Sequence, residues 1–149
     1  MIEFDRKRKI FTLLTRDSAY VFGVNREGGL YHAYYGKRLT AKKLAAIGEP
    51  KFRWIGYHGS DNKQANFQPE FSFFDGYNIF ENVVKASFSD GVRSLDLVYS
   101  GHKAYKDTLE VVLKDRKYRF SAVLKYRIHY NYNMLEKSVI YRNDGKKIA

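Results

Sequence analysis

The 149-residue chain contains no cysteine, 2 prolines and 1 tryptophan, and none of its apolar runs approaches membrane-spanning length. The missing cysteines exclude disulfides and any thiolate metal site, zinc fingers included. The opening Met1-Ile2-Glu3-Phe4-Asp5 lacks the apolar core of a signal peptide. A soluble cytoplasmic protein with no membrane partner is therefore expected. His32, His58, His102 and His129 show no spacing of the H-E-x-x-H kind that sets two ligands on one helix face. No metal site and no other cofactor is expected. No serine stands in a G-x-S-x-G elbow. Glu27-Gly28-Gly29 follows a strand pattern but opens a second strand, so it lacks the helix N-terminus of a phosphate-binding loop.

What is present is aromatic and basic: 13 Tyr, 11 Phe and a formal net charge of +11. Apolar and charged fractions of 44% and 29% fit a folded domain rather than a disordered chain. The length suits one domain, residues 1–149, that buries about two-thirds of its unfolded surface. A positive surplus is what a nucleic acid or an acidic surface would attract. Here it is scattered over Arg6-Lys7-Arg8-Lys9, Lys37-Arg38, Lys42-Lys43, Arg116-Lys117, Lys125, Arg127 and Lys146-Lys147. An even scatter makes a poor groove, so these charges read as solvated strand faces that protect sheet edges. No RNA-recognition signature occurs, and nucleic acid is not the expected partner; a basic nucleic-acid-binding β domain is the least favoured alternative.

Residues 117 to 132 carry the clearest pattern. Tyr118, Phe120, Ala122, Leu124, Tyr126, Ile128, Tyr130 and Tyr132 hold the even positions, and polar residues hold the odd ones except Val123. Period two places one set in a core and the other in water, and the run is long enough to bend or cross between sheets. Leu109, Val111 and Leu113 repeat the pattern, as do Tyr20, Phe22 and Val24. The latter strand ends at Asn25-Arg26-Glu27-Gly28-Gly29 and returns over Leu30 to Tyr35, stopped by Gly36. Val83 to Phe88 and Leu95 to Tyr99 flank Asp90-Gly91, a hairpin signal. Asp115 to Lys117 turns tightly. Only 40–47 reads as helix, with Thr40 as N-cap and Gly48 beyond its end. The expected fold is an all-β antiparallel sandwich with at most one short helix. Met134 to Arg142 reads as a last strand, and Asn143-Asp144-Gly145 as a turn followed by only four residues. A return strand that short cannot pair along its partner, so a truncated fragment of a longer polypeptide is expected.

Residues 49 to 82 mix Phe52, Trp54, Tyr57, Phe67, Phe71, Phe73, Phe74, Tyr77 and Phe80 with turn residues such as His58-Gly59-Ser60-Asp61-Asn62. A long irregular segment in a small domain is a binding loop or a cover folded over one end of the sandwich. Rings stack on apolar sugar faces while polar neighbours hold hydroxyls, and Trp54, Tyr57, Tyr77 and Phe80 fit that use. A free-standing carbohydrate-binding module is one reading that follows. Glycoside hydrolysis needs two opposed carboxylates. Glu70, Asp75, Glu81, Asp90 and Asp96 are available, but Asp90 reads as a turn residue and nothing sets two of them at the required separation. No catalytic residue is expected in this chain. His32 and His129 fall in strands and read as hydrogen-bonded structural histidines.

Several strings taken in order resemble the N-terminal region of glycoside hydrolase family 36, the α-galactosidases. They are Ser18-Ala19-Tyr20-Val21-Phe22-Gly23-Val24-Asn25, Gly29-Leu30-Tyr31-His32-Ala33-Tyr34-Tyr35-Gly36-Lys37-Arg38-Leu39 and Asp90-Gly91-Val92-Arg93-Ser94-Leu95-Asp96-Leu97-Val98-Tyr99-Ser100-Gly101-His102. Thr108-Leu109-Glu110-Val111-Val112-Leu113-Lys114-Asp115 and the last strand with Arg142-Asn143-Asp144-Gly145 complete the set. The resemblance implies a β-supersandwich of the galactose-mutarotase type that precedes a (β/α)8 catalytic barrel. The barrel would hold both catalytic aspartates of a retaining mechanism, and this chain would be non-catalytic. It implies an α-galactoside or related oligosaccharide as substrate of the parent enzyme, and a homo-oligomer in which a loop of this domain reaches a neighbouring subunit's site. The family carries "Q-E-Y-P-x-Y-G-x-G-D-F-R-x-P" on that loop. Here Glu70 and Phe74 fit, Asn78 stands where the aspartate would be and Phe80 where the arginine would be. Losing that charge pair removes fixed hydrogen bonds to sugar hydroxyls. The expected substrate-binding residues are Tyr77, Asn78 and Phe80 on this loop, with Trp54 from the ring-stacking reading. The stretch from Gly101 to Thr108 also lacks the family's "G-L-P-A-T" loop.

Overall fold

A computed structural model of the chain describes residues 1–49, 69–74 and 82–145. Strands β1 (Ile2–Asp5), β2 (Ile10–Leu14), β3 (Ser18–Val24) and β4 (Leu30–Lys37) form one antiparallel sheet in chain order. A second antiparallel sheet, also in chain order, contains β5 (Leu97–Ala104), β6 (Thr108–Asp115), β7 (Phe120–His129) and β8 (Met134–Asn143). Helix α1 (Ala41–Ala46) follows β4, capped by the Thr40 hydroxyl, which accepts from the Lys43 N–H. The two sheets pack face to face as a β-sandwich.

Aromatic side chains fill the gap between the sheets. Phe4 stacks on Phe11 with ring centres 4.4 Å apart, Phe11 on Phe22 at 4.8 Å, and Phe22 on Tyr126 at 4.9 Å. This file of rings crosses β1, β2 and β3 and ends on β7 of the opposite sheet. Leu97, Leu109, Val111, Leu113, Ala122, Leu124 and Ile128 are the other buried residues of the second sheet's core face. Each of the Leu, Val and Ile side chains contributes about 1.5–3 kcal/mol by leaving water. The first sheet is buried on its other face too. Ile10, Leu14, Ala19, Val21 and Tyr31 are buried but lie outside the main core cluster. That explains why β2 shows no usable alternation: in Ile10–Leu14 only Thr12 is not fully buried.

Three details depart from the sequence expectation. The long alternating run does not cross between sheets. It stops at His129, a 3-10 turn spans Tyr130–Tyr132, and Asn133 adopts φ 51° to start β8. The Asn133 side chain accepts hydrogen bonds from the Asp17 N–H and the Thr15 hydroxyl, so the β2–β3 turn on the other sheet fixes this reversal. Tyr130 and Tyr132 are consequently exposed. The Asp90-Gly91 turn forms, with Gly91 at φ 82° and its N–H on the Phe88 carbonyl, but its arms are not a ladder. Val84 bridges Phe73, and the Leu95 N–H donates to the Phe74 carbonyl. Phe88 and Val92 close the turn through one bond, from the Phe88 N–H to the Val92 carbonyl at 2.9 Å, and beyond it Val84 and Leu95 bind segment 69–74. Lastly, β4 continues through Gly36, which pairs with Ala19.

Candidate functional site

Segment 69–74 enters where the margin of the first sheet meets the margin of the second. Pro69 bridges Tyr31 of β4, and the Glu70 N–H donates to the Leu30 carbonyl at 3.0 Å. Phe71 is buried in the core and its ring lies 6.5 Å from that of Tyr141 on β8. Between these two anchors the Glu70 side chain turns inward and is 1% exposed.

Four side chains from four strands converge on its carboxylate. The Tyr20 hydroxyl on β3 lies 2.8 Å from Oε1 and 2.7 Å from Oε2. The Tyr126 hydroxyl on β7 donates to Oε1 at 2.9 Å. His32 Nδ1 on β4 lies 3.2 Å from Oε2, and Lys137 Nζ on β8 donates to Oε1 at 2.6 Å. Lys137 also donates to the Tyr20 hydroxyl at 2.9 Å, its Nζ 5.1 Å from the centre of the Tyr20 ring and 5.5 Å from that of Tyr126. Cation–π attraction thus adds to the ion pair.

Burial by itself pushes the Glu70 carboxyl up. The hydrogen bond from His32 and the charge and hydrogen bond of Lys137, with Tyr20, outweigh it and hold the group below the ordinary glutamate value. Glu70 is therefore ionised at neutral pH and can only accept, so His32 Nδ1 carries the proton of their shared bond. Burial, followed by the Glu70 charge, pushes the Tyr20 and Tyr126 phenols far up, which keeps both as donors. With its acceptor sites filled by protein donors, Glu70 is not placed to act on a substrate as acid, base or nucleophile. What the arrangement does is hold segment 69–74 against both sheets at one point.

The other carboxylates are accounted for individually. Asp90 is a turn residue as expected, its Oδ1 accepting from the Val92 N–H at 3.1 Å and its Oδ2 from the Tyr118 hydroxyl at 2.7 Å. Asp96 precedes β5 and faces Arg116 at 3.5 Å on the surface. His129 pairs with Glu136 at 2.8 Å, so both strand histidines do make the hydrogen bonds expected of them. Among the described residues, no group of three or more His, Asp or Glu side chains is arranged to hold a metal ion, and no helix is long and apolar enough to cross a membrane. Trp54, Tyr77, Asn78 and Phe80, like Asp75 and Glu81, lie outside the described residues.

Sequence reasoning singled out Glu70 as one of several available carboxylates and through its motif, and His32 as a structural histidine. Tyr20, Tyr126 and Lys137 were not recognised as its partners, because all three fit an amphipathic strand pattern. The available signal was chemical: a tyrosine at an inward strand position needs somewhere to put its hydroxyl.

Fold and site together define an all-β sandwich domain in which the buried carboxylate of Glu70 anchors a connecting segment. A family model described as the glycosyl hydrolase family 36 N-terminal domain matches residues 28–148, and the chain belongs to that family. Among solved structures, the family 36 α-galactosidase AgaB from Geobacillus stearothermophilus superposes with a TM-score of 0.81 at 20% identity, over 97% of this chain and 23% of its own. The α-galactosidase from Lactobacillus brevis gives a TM-score of 0.77 at 20% identity, with the same coverage of 97% and 23%. A variant of the α-galactosidase AgaA from Geobacillus stearothermophilus, in complex with raffinose, gives 0.74 at 22% identity, over 92% of this chain and 22% of its own. The chain thus spans under a quarter of the length of these structures. No curated protein sequence matches it significantly.

Proposed function

We propose that this chain serves as the non-catalytic N-terminal domain of an α-galactosidase-like retaining glycoside hydrolase. In this reading residues 1–149 are part of a longer polypeptide whose (β/α)8 barrel supplies both catalytic aspartates. The sandwich packs on that barrel, and the segment after Phe74 helps to bind substrate across a subunit interface of a cytoplasmic homo-oligomer. Tyr77, Asn78 and Phe80, with Trp54, are its substrate-facing residues. The observation that carries the reading is the family match over residues 28–148, supported by a fold shared with AgaB over 97% of the chain. An oligosaccharide substrate is supported by AgaA structures in complex with raffinose and stachyose. In this chain Asn78 and Phe80 would replace a charged pair, so sugar recognition would rest on ring stacking and amide hydrogen bonds.

The test is to read the native gene beyond Ala149 and assay its whole product. A frame continuing into a barrel with two active-site aspartates, and a product that releases galactose from raffinose while the 149-residue chain does not, are expected. A frame without a barrel, or a whole product inert toward raffinose, stachyose and aryl α-galactosides, overturns the proposal.

A further inference from the structure

The knot of Glu70 with Tyr20, Tyr126, His32 and Lys137 is closed toward the core, but two of its members reach solvent at the margin between β4 and β8. The His32 side chain is 20% exposed and that of Lys137 45%. Tyr35 stands beside them. It pairs with Tyr20 across the β3–β4 ladder, so the two side chains share the face turned toward the second sheet. Tyr35 is nevertheless 63% exposed, and its ring meets that of Tyr20 at 59° with centres 5.6 Å apart. The His32 ring lies 4.9 Å from the same Tyr20 ring, and Lys137 Nζ 5.1 Å from it. A lone exposed ring on an outer strand face needs no explanation. A ring on an inward face, beside a lysine and a histidine, is a different feature.

Polar groups remain unused there. Lys137 gives one N–H to Glu70 and one to Tyr20, and its third has no acceptor among the described residues. His32 bonds Glu70 through Nδ1, and among the described residues its Nε2 has no partner. A pyranose matches this set. Its C–H face can lie on the Tyr35 ring while its hydroxyls accept from Lys137 and bond His32 Nε2. An anion matches less well, because Glu70 at 2.6 Å already balances the Lys137 charge. Lys37, next on this face of β4, adds one exposed ammonium at the outer end. We propose that Tyr35, Lys137 and His32 form a binding subsite for one neutral hexopyranose unit of an oligosaccharide. The subsite is built wholly from β4 and β8. It goes beyond the function proposed above, since it needs neither a barrel nor a subunit interface.

The test is to titrate the 149-residue chain with galactose, glucose and raffinose while following its backbone and aromatic NMR resonances. At least one of the three should give saturable shifts at Tyr35, His32 and Lys137, with a Kd of about 1–10 mM. Tyr35→Ala should weaken that binding about tenfold or more, whereas Tyr35→Phe, which keeps the ring, should stay within about twofold. Lys137→Met, which keeps the stem and removes the ammonium, should weaken it about threefold or more. Unshifted amides of Val111 and Val123 in the sugar-free variants check that the fold is kept. The proposal is overturned by the absence of saturable shifts up to about 100 mM of each sugar. It is equally overturned by binding that Tyr35→Ala leaves unchanged, or by inorganic phosphate binding more tightly than any of the sugars. A whole gene product inert toward raffinose would overturn the function proposed above and leave this subsite standing.

Discussion

Replacing Tyr126 by Phe removes one oxygen atom from the centre of the sandwich and nothing else. The ring is 1% exposed and stacked on Phe22 at 4.9 Å, and phenylalanine fills the same space. What is lost is the hydroxyl that donates to Glu70 Oε1 at 2.9 Å. Glu70 keeps Tyr20, His32 and Lys137, so the carboxylate stays paired but loses one donor. A hydrogen bond to a buried charge contributes about 1.5–3 kcal/mol, which for a chain of this size lowers Tm by about 4–8 °C around the middle of that range. The pH dependence has a definite sign. Glu70 is held below its ordinary value of 4.5, so the stability due to its charge is complete above that pH and disappears as pH falls through the lowered folded-state pKa. The difference between Tyr126→Phe and the parent should therefore be full at neutral pH and shrink in acid toward the ~1 kcal/mol of a neutral hydrogen bond. Urea unfolding followed by far-ultraviolet circular dichroism, at neutral pH and at about pH 3, measures both values. A neutral-pH loss under about 0.5 kcal/mol, or an equal loss at the two pH values, would refute the reasoning.

Two further substitutions probe the packing. Phe22→Ala removes the ring shared by the Phe11 and Tyr126 stacks, and should cost about 3–5 kcal/mol in urea unfolding; a loss under ~2 kcal/mol would mean that the aromatic file is not the core's main support. Gly23→Ala would place a Cβ 2.4 Å from the Tyr31 hydroxyl oxygen and 2.5 Å from its Cζ, so the buried Tyr31 ring must move. The expected cost is about 1–3 kcal/mol, and the double variant with Tyr31→Leu should be clearly non-additive; strict additivity would rule out the contact as the cause.

Sequence legibility followed the number of wet faces a strand has. β6 and β7 alternate because one face is buried and the other meets water, and both could be read from period two. Helix α1 was legible from Thr40, whose cap is observed. β2 was not, since Ile10, Phe11, Leu13 and Leu14 are buried over its two faces and leave no alternation to detect, and β1 alternates over only the four residues Ile2–Asp5. The Asp90-Gly91 turn was legible as a turn, but what its arms pair with is a tertiary matter settled by Phe73 and Phe74. The knot shows the limit most clearly. Its members stand at positions 20, 32, 70, 126 and 137, and no local pattern links a lysine on an edge strand to a glutamate in a distant segment. Motif resemblance pointed to Glu70, but packing gave it a role different from touching sugar.

The contrast between β3 and β8 carries a consequence for how this domain can diverge. Every residue of Ser18–Val24 is at least partly enclosed, and five of the seven are fully buried, whereas no residue of Met134–Asn143 is fully buried. A random change in β3 meets a neighbour whichever way its side chain points; in β8 most changes meet solvent. Drift should therefore be concentrated along one margin of the sandwich, sparing Leu135 and Val139, which pack on the core, and Lys137, which pairs with Glu70. Relatives as distant as 20% identity can then keep the same frame while the surface beside β8 is rewritten.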